Sequence, residues 1–155
     1  MATIKEAPHN FDPESILYNI FLAGSIENGK AEDWQSKLSE TLDRFDNIVI
    51  LNPRRRNWNP DLDGRELKKQ IVWEQEGISI SDLVVFYFDP ATKSPISLLE
   101  LGQCLGSNKN VVVYCPANFF RYTNVEVTMS RYGKTPYSDY NEFVAEIITN
   151  ISRFA

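Results

Sequence analysis

The feature that most constrains this chain is a set of short apolar runs that do not alternate with polar residues. Tyr18–Ala23 (YNIFLA), Ile48–Leu51 (IVIL), Leu83–Phe88 (LVVFYF) and Val111–Cys115 (VVVYC) are each nearly continuous. A strand with one wet face alternates, whereas a continuous run suits a strand covered on both faces. Segments of helical spacing lie between the runs: Trp34, Leu38, Leu42 and Phe45; then Leu67, Ile71 and Ile78; then Leu98, Leu101 and Leu105. Tyr140, Phe143, Val144, Ile147 and Ile151 mark a last helix, with Ser138 as its expected cap. Ser94-Pro95 has the form of an N-cap followed by a first helical residue. The alternation predicts an α/β architecture: a doubly wound parallel sheet of four to five strands with helices on both faces.

The 155 residues suit one domain, expected over residues 16–155. Residues 1–15 lack periodicity, carry two prolines and predict a flexible N-terminal tail. The only histidine, His9, falls in that tail, so chemistry that relies on histidine is not expected. A formal charge of -5 argues against a duplex nucleic-acid partner, which would favour a basic face. Cys104 and Cys115 lie in apolar contexts without metal-ligand spacing and are expected to be buried thiols. Neither a metal nor a cofactor is expected. No apolar run reaches membrane-spanning length and no signal-peptide pattern opens the chain, which predicts a cytoplasmic protein with no membrane partner.

Doubly wound sheets bind ligands at the carboxyl ends of their strands, near the point where the strand order reverses. The segments to search are therefore Gly24–Lys30, Asn52–Trp58, Asp89–Glu100 and Pro116–Arg131. Two glutamates draw notice. Glu74 interrupts the stripe formed by Leu67, Ile71 and Ile78, where it either reaches solvent or an arginine, or sits at a site as a carboxyl with a raised pKa. Glu100 falls in the first two turns of the helix after the third run, among Leu98, Leu99 and Leu101. The helix N-terminus is expected to favour its ionised form, and an ionised carboxylate in a crevice can attack a sugar carbon. An ordinary exposed helix glutamate is the alternative. Gly24–Ala31 approaches a phosphate-binding loop but ends in Ala31 where magnesium would need a hydroxyl, so a small-residue turn that admits a ligand is preferred. Asn52–Trp58 joins three arginines to a tryptophan; it is either a solvated loop or a lid in which Trp58 stacks on a base and Arg54 meets an anion.

Four motifs occur in order: Ile20–Ile26 (IFLAGSI); Trp73-Glu74 eight residues ahead of Ser81-Asp82-Leu-Val-Val; Ser94 through Glu100-Leu-Gly102; and Thr123-Asn124-Val. Together they resemble the nucleoside 2-deoxyribosyltransferases and their relatives, the deoxynucleoside 5'-monophosphate N-glycosidases. The Asn-Pro-Arg-Arg segment with its tryptophan is similar to a subgroup described only as deoxyribosyltransferase-like. The resemblance implies a flavodoxin-like sheet and a retaining double displacement. Glu100 corresponds to the nucleophile that forms a covalent deoxyribosyl-enzyme. Glu74 corresponds to the acid at the departing base, usually an aspartate. Asn124 corresponds to a residue lent to the neighbouring subunit's site, which implies a homo-oligomer. Ser25 matches a phosphate contact of the glycosidases, as does Ser94, where the transferases carry an aspartate. Pro95-Ile96-Ser97 replaces a Gly-x-Gly, and Phe21 stands where a tyrosine is common. The substrate-contacting candidates are thus Phe21, Gly24, Ser25, Arg54, Trp58, Asp82, Asp89, Ser94 and Asn124. The expected partners are a nucleoside or nucleotide and a free nucleobase. Base transfer is the leading activity. Hydrolysis of a monophosphate, cleavage of NAD at its nicotinamide bond and non-catalytic nucleotide sensing are the alternatives.

Overall fold

Five strands and five helices are seen in the computed structural model, which describes residues 1–27, 31–55 and 64–154. The strands are β1 (Thr3–Glu6), β2 (Tyr18–Leu22), β3 (Ile48–Asn52), β4 (Leu83–Tyr87) and β5 (Val111–Tyr114). The helices are α1 (Trp34–Leu42), α2 (Gly64–Ile80), α3 (Pro95–Gly106), α4 (Tyr122–Ser130) and α5 (Tyr140–Phe154). The sheet runs β1-β3-β2-β4-β5 and every pairing is parallel, as in flavodoxin-like folds.

Every residue of β2, β3 and β4 is buried, because side chains on both faces of these strands meet helices. Phe21, Leu51, Val84 and Phe86 join one core with Trp73, Leu101, Leu105, Val125 and Met129, on the face covered by α2, α3 and α4. Their neighbours Ile20, Ile50, Leu83 and Val85 join the other with Trp34, Leu38, Leu42, Phe143, Ile147 and Ile151, under α1 and α5. Burying each such large side chain contributes about 1.5–3 kcal/mol, so these two layers hold the sheet edges that support the site.

Local signals set the helix starts. The Asp33 carboxylate caps α1 by accepting from the Ser36 N–H at 3.2 Å. Asp139, rather than Ser138, caps α5: its carboxylate accepts from the Glu142 N–H at 3.0 Å, while the Ser138 hydroxyl donates to the Cys115 carbonyl.

Two segments differ from the sequence expectation. Thr3–Glu6, expected within a flexible tail, is an edge strand in register with Val49–Asn52 of β3. The segment after it is also tied down: the Trp73 indole N–H donates to the His9 carbonyl at 2.8 Å, and Phe11 packs edge-on against the Trp73 ring. The second is α4, a helix for which no stripe of helical spacing was found in the sequence and which buries only Val125 and Met129. Among the described residues no helix is long and apolar enough to cross a membrane.

Candidate functional site

The chain passes from β2 outward to β3, then returns to add β4 on the other side of β2. That reversal leaves a crevice beyond the carboxyl ends of β2 and β4. A cavity of about 500 Å³ opens there, a size that holds a small molecule. Ala23 and Gly24 line it from the end of β2, Pro53 from β3, and Ser94 to Ser97 from the segment after β4. Leu67, Gln70, Ile71 and Glu74 of α2 form one wall, and Glu100 of α3 faces into the same space.

Gly24 is required by packing. A β-carbon there would stand 2.4 Å from the Tyr87 backbone nitrogen and oxygen and 2.5 Å from the Trp34 ring. The chain can therefore turn from β2 into the cavity rim only with a hydrogen at this position.

Both glutamates are held as weak acids. Burial pushes the Glu74 carboxyl up to about 7, against the Gln70 amide and the Arg55 charge, which pull it down. Burial also pushes Glu100 up to about 8, and the nearby charge of Glu74 adds to the rise. Glu100 is 5% exposed and its carboxyl makes no hydrogen bond to another described residue, so little offsets the loss of water around its anion. Two carboxyls this buried and this close resist ionising together: whichever loses its proton second does so against an existing negative charge, so between their two titrations the pair holds one proton.

The sequence profile of the family described as nucleoside 2-deoxyribosyltransferase like matches residues 17–119, from β2 through β5 and the turn beyond it. The chain belongs to this family. No curated protein sequence matches it.

Against that deoxyribosyltransferase-like framework, the cavity brings together four of the residues singled out from sequence: Gly24, Glu74, Ser94 and Glu100. Ser25 lies fully buried beneath the rim. Its hydroxyl contacts those of Ser94 at 2.5 Å and Thr92 at 3.1 Å and accepts from the Asp89 N–H at 2.9 Å. Asp89 is a brace: its carboxylate accepts from the Ala91 N–H at 2.9 Å and the Glu32 N–H at 3.1 Å. Arg54 likewise braces a loop, donating to the carbonyls of Ala31 at 2.7 Å and Glu32 at 2.8 Å. Trp58 and Arg56 lie outside the described residues.

Three candidates stand elsewhere. Phe21 is a core residue with no exposure, packed between β2 and α2 and tilted 6.1 Å from the Trp73 ring. Its side chain points to the helical layer because strand residues alternate between faces. Asp82 sits at the amino end of β4, opposite the cavity, where its carboxylate accepts from the Asn19 N–H at 2.8 Å. Asn124 is exposed on α4 and does not line the cavity of its own chain.

Two lining residues were not singled out from sequence. Gln70 precedes Glu74 by one helical turn; its amide donates to a Glu74 carboxyl oxygen at 3.3 Å and to the Pro53 carbonyl at 2.9 Å. The Arg55 Nε–H in turn donates to the Gln70 side-chain oxygen at 2.7 Å. The i,i+4 spacing of Gln70 and Glu74 is the signal that could have found it. Glu27 is the other. Its Oε1 accepts from the Lys93 N–H at 2.6 Å and the Ser94 N–H at 2.5 Å. Ser94 is left-handed, with φ 50° and ψ 52°, and its hydroxyl caps nothing in α3. A left-handed non-glycine costs on the order of 1 kcal/mol, here offset by the bonds to Glu27, Ser25 and Thr92.

Proposed function

We propose that this protein cleaves the N-glycosidic bond of a 2'-deoxynucleoside and transfers the sugar to another nucleobase. The observation that carries the reading is the pair of buried carboxyls, Glu74 and Glu100, sharing one cavity at the sheet's switch point, each with its pKa raised by burial. Breaking a sugar–base bond builds positive charge on the anomeric carbon and negative charge on the departing base. One carboxylate and one carboxylic acid answer those two needs.

In the first half-reaction a Glu100 carboxylate oxygen bonds to the anomeric carbon, the carbon–nitrogen bond breaks, and the base nitrogen takes a proton from Glu74. In the second, an incoming base nitrogen attacks the same carbon, the ester bond to Glu100 breaks, and Glu74 receives the proton the incoming base gives up. Both displacements invert, so the overall outcome is retention. The proton of the pair must rest on Glu74 when Glu100 attacks. Growing positive charge on the sugar favours this arrangement by stabilising the Glu100 anion. Gln70, donating to Glu74 and itself bonded to Arg55, orients the acid. Leu67, Ile71, Ile26 and Ile96 give the cavity apolar walls suited to a flat base. Asn124 is available at the surface to complete a neighbouring subunit's site in a homo-oligomer, as is the exposed Leu99 to join the contact.

Incubating the protein with deoxyinosine and adenine, and following products by chromatography, tests the reading. Deoxyadenosine and hypoxanthine are expected. Release of hypoxanthine alone would make the protein a hydrolase, and neither product would set the reaction aside in favour of nucleotide sensing.

A further inference from the structure

The rim of the cavity carries a carboxylate that the catalytic pair does not explain. Glu27 reaches from the turn after β2 to the start of α3 and takes the two backbone N–H groups of Lys93 and Ser94 on one oxygen. Consecutive backbone donors at the head of a helix form a natural seat for an anion. Here the chain fills that seat with its own side chain, held there although Glu27 has to adopt φ 44°, a conformation that non-glycine residues rarely take. The hydroxyls that could receive a second anion are occupied as well: those of Ser25, Thr92 and Ser94 bond to one another. Among the described residues, the cavity lining holds three glutamates and no lysine, arginine or histidine.

We infer that Glu27 is a specificity-determining residue that fits the site to a nucleoside with a free 5'-hydroxyl and excludes the 5'-phosphorylated form. A phosphate entering this end would lose its donors to Glu27 and face that residue's charge, with no cation in the described lining to balance it. A hydroxyl instead gains a partner, since it can donate to the Glu27 carboxylate. The inference rests on the proposed nucleoside chemistry and names the substrate class within it.

The test compares kcat/KM for 2'-deoxyadenosine and its 5'-monophosphate in the wild type, in Glu27→Gln and in Glu27→Gly. Glutamine keeps an acceptor oxygen without the charge; glycine vacates the seat and tolerates the positive φ. The wild type is expected to prefer the nucleoside by at least ~100-fold, and both variants to narrow that ratio by at least ~10-fold, as removal of one nearby like charge requires. Equal use of both substrates by the wild type, or an unchanged ratio in both variants, overturns the inference. Binding of the same two ligands, followed by NMR, separates this from the catalytic proposal. If neither ligand is cleaved but the wild type binds only the nucleoside and Glu27→Gly also binds the monophosphate, the chemistry fails and the role of Glu27 stands. Tight monophosphate binding by the wild type, or binding of neither ligand, overturns the role as well.

Discussion

Replacing Glu100 with glutamine should make the protein more stable at pH 8 and leave it nearly unchanged at pH 4. In the unfolded chain a glutamate titrates near 4.5, whereas the folded site holds Glu100 at about 8. Between those values the folded state keeps a proton that the unfolded state has released. Stability therefore falls as pH rises from 4.5, and levels off above 8. The difference is about 3.5 on the pH scale, and each step corresponds to ~1.4 kcal/mol, so burying this acid costs on the order of 4 kcal/mol at pH 8. Glutamine is nearly the same shape and has no charge to desolvate. Urea unfolding of both proteins at pH 4, 6 and 8 measures the effect. The gap should be near zero at pH 4 and reach several kcal/mol in favour of Glu100→Gln at pH 8, while base release disappears. A gap that does not vary with pH would refute the reasoning, because it would mean that Glu100 ionises as easily in the fold as in the unfolded chain.

Three further outcomes are expected. The pH profile of kcat/KM should be bell-shaped with limbs near 7 and 8, the apparent values of the pair, and Glu74→Gln should lose the bell along with most of the rate. Gln70→Leu removes a hydrogen bond that lowers the Glu74 pKa, so the ascending limb should move to higher pH, and denaturant unfolding should show a loss of about 1–3 kcal/mol from the unpaired Pro53 carbonyl and Arg55 Nε–H. Gly24→Ala forces a methyl into the backbone of Tyr87, and calorimetry should show a loss of ~3 kcal/mol or more, or no folded protein, whereas Asp82→Asn at the far end of the sheet should leave base release within about twofold of wild type.

The parts of the fold with strong periodicity were legible. β2 to β5 are continuous apolar runs, and the helices between them repeat at helical spacing. β1 was not, because TIKE is a half-exposed edge strand paired on one side only and carries no apolar run. α4 was not, because two buried residues in nine leave no stripe to recognise. The α2 stripe was visible but its destination was not. Ile78 enters the core, yet Leu67 and Ile71 are about half exposed and face the cavity, and the buried face carries Gln70, Trp73 and Gly77 instead.

The positions of the two acids were also legible, but the charge of one was not. The helix N-terminus was expected to keep Glu100 ionised. Glu100 is the sixth residue of α3, beyond the first turn where that field is felt. Such a field contributes about 0.3–1 kcal/mol, while burying a carboxylate costs several, so burial wins and the pKa rises. Glu27 escaped notice because its partners are backbone groups brought close only by the fold, and of the bonds Gln70 makes only the i,i+4 one to Glu74 is written in the sequence, those to Pro53 and Arg55 arising from the fold.

The most direct measurement is mass spectrometry of the protein quenched in acid during turnover of a 2'-deoxynucleoside, followed by peptide mapping. A mass increase of one deoxyribosyl group on the peptide carrying Glu100, absent in Glu100→Gln, is the predicted result. Base exchange proceeding with no adduct on that peptide, or at the wild-type rate in Glu100→Gln, would contradict the role given to this carboxylate.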